Sequence, residues 1–431
     1  MHKTASADRR IQAAILKEAI PSNVRERPRA PSRAQARPSG RPTLSRPVAF
    51  WLAAALLALF LYTAAAPTPL YRVYQAQWGF STATLTAVFA VYVLVLLATL
   101  LVFGSMSDHI GRRPVIMVAI AVEVAAFVLF ALAHGVGLLY AARALEGIAV
   151  GAAINPLGAT LLDLRPRGGL APLTSSISPT AGLAFGALFT SVLVQFGPAP
   201  TQLVWWLLLG AFAAAFVLVA VMPESGTRRP GALASMRPHV SVPRPARGTF
   251  ARAVPALVAV WALGGFYLSL GPSLAAHLSG SRDPLWGGAV VFLLLGVGAA
   301  SGLAVRNVRA PAQVLGGCLV LMAGTGITIA GIETGTVAVL LLGSGVAGLG
   351  FGPAFLGAFR TVITLADPSD RAGLIAAIFI VSYFALGLPA VIAGLATSHF
   401  SLDGTALVYS AAVAGLAAAA ALFSRSRSRH D

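Results

Sequence analysis

The sequence predicts an all-α membrane protein of twelve transmembrane helices arranged as two six-helix bundles. Three observations carry that expectation. Apolar residues make up 57% of the chain against 10% charged, and mean hydropathy is +0.81, so a bilayer rather than water is the matching solvent. The apolar residues fall into twelve runs, each long enough for the roughly 20 helical residues that cross a hydrocarbon core of about 30 Å. A polar, proline-bearing stretch, residues 223–252, divides the runs six and six.

In order, the spans are read as 47–66, 82–104, 114–133, 136–162, 170–196, 202–222, 253–276, 285–305, 311–331, 335–365, 373–396 and 404–424. Helices are the fitting element because strand-like alternation is absent, and an open sheet edge would leave backbone groups unsatisfied in lipid. The expected organisation is therefore a basic disordered extension over 1–46, a first bundle over 47–222, a linker over 223–252, a second bundle over 253–424 and a basic tail over 425–431. Asn155-Pro156 and Gly271-Pro272 read as helix kinks. No cleavable signal peptide is expected, since the basic, Pro-rich leader is far longer than an n-region.

Orientation follows the arginines. With the N-terminus inside, every basic residue except Arg72, Arg282 and the intramembrane Arg143 falls on the cytoplasmic side. This obeys the positive-inside rule at each loop and places both termini in the cytoplasm of the cell (inner) membrane. The same asymmetry accounts for most of the formal net charge of +17 without nucleic acid, for which no folded motif or aromatic interleaving is present. Anionic headgroups are the natural partner of residues 1–46.

Between the second and third runs lies a short charged turn, Gly104-Ser105-Met106-Ser107-Asp108-His109-Ile110-Gly111-Arg112-Arg113-Pro114. Glycine permits close helix approach and positive φ, an acid can cap a helix start, and paired arginines anchor the turn at the membrane surface. The pattern G-x-x-x-D-x-x-G-R-R resembles the signature loop of the major facilitator superfamily. Arg143-Ala144-Leu145-Glu146-Gly147 is similar to that superfamily's R-x-x-Q-G element, with glutamate in place of glutamine. Ser178-Pro179-Thr180-Ala181-Gly182 partly matches the G-P-x-x-G-G element of its antiporter branch, without the first and last glycines. Pro67-Thr68-Pro69-Leu70-Tyr71 and the stretch from Asp370 through Tyr383 to Pro389 look like those of bacterial efflux permeases. An internal echo joins Asp163-x-x-x-Arg167-x-Gly169-Leu170 to Asp367-x-x-x-Arg371-x-Gly373-Leu374, as parallel repeats would.

The resemblance implies alternating access around a central cavity, with proton-coupled efflux expected and proton-coupled uptake as the alternative. It implies that Gly104, Asp108, Gly111, Arg112 and Arg113 form a conformational gate, with Asp108 contacting the start of the eleventh span near Ala372 and Gly373. It also implies a cavity lined by the first, fourth, seventh and tenth spans. The candidates there are Tyr62, Asn155, Trp261, Phe266, Tyr267 and the four-residue stripe Phe351, Phe355, Phe359. An aromatic cavity with few charges favours an apolar or amphipathic small molecule, and no acid in the first span marks an organic cation.

Three intramembrane charges bear on coupling. Glu123 lies about 15 Å into the third span, and Arg143 and Glu146 lie within the fourth. Each costs about 2.5–3.5 kcal/mol at a helix centre, so such groups face a bundle interior, pair, or mark a proton route. Arg143 and Glu146 share one helix face and are placed to pair. Glu123 has no partner in its own helix and is read as constitutively protonated, bonded to Arg143, or the coupling carboxylate.

An enzymatic or sensory role has little support. The seven histidines are scattered over termini, loops and span edges, Cys318 is the single cysteine, and no phosphate-binding G-x-x-x-x-G-K-S/T occurs. No metal or other cofactor is expected. The expected partners are the small-molecule substrate, protons and the lipid bilayer, with the chain acting as a monomer.

Overall fold

The computed structural model describes residues 43–164, 170–226, 229–367 and 370–425, with the side chains of 170–173, 175, 176 and 425 outside that description. Most of the 1–46 extension, the 425–431 tail beyond Arg425, and the Arg167–Gly169 part of the internal echo lie outside the described residues. The described residues form one compact unit from Thr43 onward. They are helices and connecting turns with no strand among them, and twelve helices are long and apolar enough to span a membrane.

The spans begin and end close to where hydropathy places them. The second is Thr82–Phe103, the third Arg112–Ala131, the fourth Val136–Asp163, the fifth Leu170–Phe196 and the sixth Leu203–Ala220. The eighth is Pro284–Ala304, the ninth Ala310–Glu333, the tenth Val337–Ile363, the eleventh Arg371–Ala396 and the twelfth Leu402–Arg425. The first and seventh differ from expectation. Arg46–Ala65 continues as Pro67–Trp78, and Arg247–Ser269 continues as Gly271–Ser279. In both places a proline sits in the first turn of the continuing helix, where its missing N–H is not needed, so a sequence that reads as a stop acts as a restart. The kink expected at Gly271-Pro272 is this break. Pro156, by contrast, lies inside an unbroken helix.

Small residues set the closest helix contacts, as expected where lipid supplies no hydrophobic drive between helices. Gly317, Gly324 and Gly331 of the ninth span recur every seventh residue and face Ala354, Ala347 and Leu340 of the tenth, while Gly343 and Gly350 answer from the tenth against Thr328 and Leu321. A Cβ on any of them would overlap the facing helix.

The two halves meet mainly on the side away from the chain ends. There the Thr68 hydroxyl donates to the Leu268 carbonyl at 3.1 Å, Gly288 packs on Ser191, and Gly394 packs on Thr86. Linker 223–252 and the helix ends at Arg46 and Arg425 lie on the opposite side, called here the terminus side.

Candidate functional site

The buried charges assemble into one cluster between the first four spans. Arg143, Glu146 and Glu123 are all completely shielded from solvent. The Arg143 guanidinium donates from Nη1 to Glu146 Oε2 at 2.8 Å and to the Ala64 carbonyl at 3.2 Å, and from Nε to the Tyr71 hydroxyl at 2.6 Å. Its Cζ also lies 5.3 Å from the Tyr71 ring centroid and 5.0 Å from that of Tyr92. Three helices therefore hold one cation, and Tyr71 reaches it only because the first span continues past Ala66.

Glu123 is not bonded to Arg143, which removes one of its three sequence readings. Neither of its carboxyl oxygens has a hydrogen-bond partner among the described residues. The Thr63 hydroxyl beside it is already donated to the Phe60 carbonyl at 2.7 Å. Glu146 and Arg143 lie within coulombic reach of Glu123. Glu146 Oε1 and Arg143 Nη2 are also without partners among the described residues, so the cluster has unused donor and acceptor capacity there.

Beside the cluster is a cavity of about 520 Å³, bounded by both halves of the chain. Trp261, Phe351, Phe355 and Phe359 line it, and Tyr92, Phe379 and Tyr383 join them from the second and eleventh spans. Trp261 meets Phe355 edge-on at 5.3 Å between centroids, and Tyr383 at 6.0 Å. Arg306 and Arg360 mark the cavity's extent toward the terminus side, since they end the eighth and tenth spans. Tyr92 belongs to both sites, since it lines the cavity and the Arg143 guanidinium sits over its ring. A larger apolar groove of about 700 Å³ lies between the seventh, eleventh and twelfth spans, but its wall residues Ile392 and Val408 are exposed and it holds no charged side chain. It has the character of a lipid-facing surface.

The other four cavity candidates lie elsewhere. Asn155 donates from Nδ2 to the Gly104 carbonyl at 3.2 Å and ties the fourth span to the second. Phe266 is fully buried against Tyr267 and Tyr409. The Tyr267 hydroxyl pairs with Thr328 Oγ1 at 3.1 Å and accepts from Ser344 Oγ at 3.0 Å, a polar knot joining the seventh, ninth and tenth spans. Tyr62 is half-buried with its backbone against Gly186 and is not part of the cavity wall.

The charged turn is held by a residue that sequence reading passed over. Glu224, in the linker, accepts from the backbone N–H groups of Arg112 at 2.9 Å and Arg113 at 3.2 Å, capping the third span. Gly111 makes this approach with φ of 100°, and a Cβ there would come within 2.8 Å of Glu224 Oε2. A Cβ on Gly104 would similarly stand 2.7 Å from Asn155 Nδ2. Arg112 pairs with Asp163 at 3.0 Å and more loosely with Asp108 at 3.7 Å, and Arg113 donates to the Met222 carbonyl at 3.4 Å.

Asp108 does not reach the eleventh span in this conformation. Its side chain is 58% exposed, and the start of that span is occupied by the linker instead. The Ser241 N–H donates to the Gly373 carbonyl at 3.3 Å, with His239 alongside. The same linker is fastened to the turn, because the Arg229 N–H donates to the His109 carbonyl at 2.9 Å and Ser105 Oγ to the Ser235 carbonyl at 2.8 Å.

Of the residues that sequence reading missed, Tyr71 stood inside a quoted motif without an assigned partner. Tyr92 is a lone polar-tipped ring in an aliphatic run, which was a usable signal. Nothing local marks Glu224 or Ser241.

Residues 49–310, more than half of the chain, match the family model described as Major Facilitator Superfamily. A Penicillium rubens protein described as the MFS-type transporter paaT is 32% identical over 127 residues, which is 29% of this chain and 23% of that relative. The chain thus matches about a quarter of that relative's length.

Proposed function

Because the chain belongs to the Major Facilitator Superfamily, a family of secondary transporters, we propose that it exports a small apolar or amphipathic molecule by alternating access, driven by inward movement of protons. The observation that carries this reading is Tyr92, one side chain shared by the inter-half cavity and the buried charge cluster. A change of charge at the cluster then alters one wall of the cavity, and an occupied cavity alters the surroundings of the cluster.

Glu123 is the proton carrier in this scheme. Neither oxygen of the Glu123 carboxyl is bonded within the fold, whereas Glu146 is held by Arg143, so Glu123 is the carboxyl that can change charge without breaking a pair. The Arg143–Glu146 pair keeps the cluster assembled. With the halves joined on the far side and the cavity reaching toward the terminus side, the conformation is one that loads from the terminus side. The distribution of basic residues supports reading that side as cytoplasmic, and in this scheme the protein works as a monomer in the cell membrane. Asp108 acts in the opposite conformation, when the eleventh span closes on the turn.

The test is reconstitution in proteoliposomes with an imposed pH gradient. Efflux coupling predicts that substrate moves against the proton flow, so vesicles acidic inside accumulate it. Accumulation under the reversed gradient alone assigns uptake symport, and indifference to the gradient refutes coupling.

A further inference from the structure

Resting on the transport reading, we propose that the cavity takes an amphipathic anion, an aromatic or aliphatic monocarboxylate, with its apolar body between the two halves and its carboxylate at Arg306 and Arg360. A volume of about 520 Å³ fits a small molecule rather than a peptide or a lipid. The inner wall is aromatic and aliphatic, and Trp261, Phe355 and Tyr383 present rings to whatever occupies it.

Charge narrows the class. Among the residues lining the cavity, Arg306 and Arg360 are the charged ones and there is no carboxylate. Glu123 and Glu146 are shielded behind the wall, and Arg143 already occupies Glu146. An organic cation entering from the terminus side would pass two guanidinium groups and find no counter-charge. A neutral molecule would leave both unused.

Arg360 is also built in place. Its Nη1 donates to the carbonyls of Arg306 at 2.8 Å and Val308 at 3.4 Å and to Gln313 Oε1 at 3.4 Å, which fixes the guanidinium at the end of the eighth span. No acceptor is bonded to its Nε or Nη2 among the described residues, and neither arginine has an acidic partner there. Because Arg360 bonds the backbone of Arg306, the two arginines border one corner of the cavity, and a carboxylate there would meet two positive charges. Holding the guanidinium in advance lowers the ordering cost of binding.

Three probes built on one naphthalene ring separate the possibilities: 2-naphthoate, neutral 2-naphthylmethanol and cationic 2-naphthylmethylammonium. Purified full-length protein is assayed by binding of tritiated 2-naphthoate with the other two as competitors. The expected result is naphthoate affinity about ten-fold above that of either competitor, weakening as salt is raised. Arg306→Gln should remove most of that preference while Arg306→Lys keeps part of it. Arg306 is chosen because its side chain is exposed and its loss spares the Arg360 brace, and an unchanged elution profile on size exclusion establishes that the variant is folded. Equal or tighter binding of the alcohol or the ammonium probe overturns the anion assignment, as does a naphthoate affinity unchanged in Arg306→Gln or no naphthoate binding at all. Counterflow of the alcohol or the ammonium probe in proteoliposomes would then show transport standing while the substrate class falls.

Discussion

Arg143 and Glu146 form a 2.8 Å ion pair with no solvent exposure on either partner, one helical turn apart on the fourth span. Removing one partner of such a pair strands a buried charge, which costs about 3–5 kcal/mol, whereas removing both leaves mainly a packing defect. Glu146→Gln should therefore lower abundance and the Tm of the purified protein, and Arg143→Leu combined with Glu146→Leu should cost less than the two single losses together. Additive losses would mean that the pair does not act as a unit. Tyr71→Phe, which removes only the hydroxyl that accepts from Arg143, should give a smaller drop of about 1.5–3 kcal/mol.

Glu123 behaves differently because no ion pair or hydrogen bond of the fold rests on its charge. Glu123→Gln keeps the volume and mimics the protonated carboxyl, so Tm should change by less than in Glu146→Gln. Gradient-driven accumulation of the transported probe should be abolished while counterflow exchange persists. Accumulation at the wild-type level would eliminate Glu123 as the carrier, and the same split in Glu146→Gln would move the role there.

The cap on the third span is a stability matter. Gly111 sits at φ of 100° and ψ of 152°, a region almost confined to glycine that costs a side chain about 1–3 kcal/mol, and a methyl there also crowds Glu224. Gly111→Ala and Glu224→Ala should each lower Tm, the latter by the equivalent of about 1 kcal/mol for a lost cap. Since both disturb one contact, the double variant should lose less than their sum, and thermal denaturation of the four proteins decides it.

Asp108 makes the opposite prediction. With its side chain largely exposed and its ion pair at 3.7 Å, Asp108→Asn should shift stability by less than about 1 kcal/mol. Transport should nevertheless fall steeply if the proposed gating contact, made in the other conformation, is the one Asp108 supplies. Wild-type transport in well-expressed Asp108→Asn vesicles removes the gating role.

The linker offers a direct lock on the same transition. Ser241 and Gly373 touch through a backbone hydrogen bond, so Ser241→Cys with Gly373→Cys in a Cys318→Ser background should cross-link on oxidation. A linker tied to the start of the eleventh span keeps Asp108 away from it. Oxidised vesicles should stop transporting and recover on reduction, and undiminished transport by the cross-linked form would show that the linker stays in place through the cycle.

Span number, the boundaries of every span but the first and seventh, and the likeness of the turn at 104–114 to a family signature were legible in the sequence, because each rests on local chemistry. A run of apolar residues must be helical wherever it crosses lipid, and the positive φ of Gly111 is a demand of its own backbone. The pairing of Arg143 with Glu146 was legible for the same reason, since a spacing of three fixes both side chains on one face. Tertiary structure alone decided the rest. Tyr71, Tyr92 and Glu123 come to one cluster from three different spans, and only helix packing determines which faces meet. Asn155 and Tyr267 sit on spans that line the cavity, yet their own faces turn to neighbouring helices, and apolar spans with little sequence asymmetry do not reveal which face is which. Glu224 and Ser241 lie in a polar linker where no periodicity marks a partner. Their roles arise because the fold carries the linker across the third span to the eleventh, which is a property of where helices end in space and not of the residues beside them in the chain.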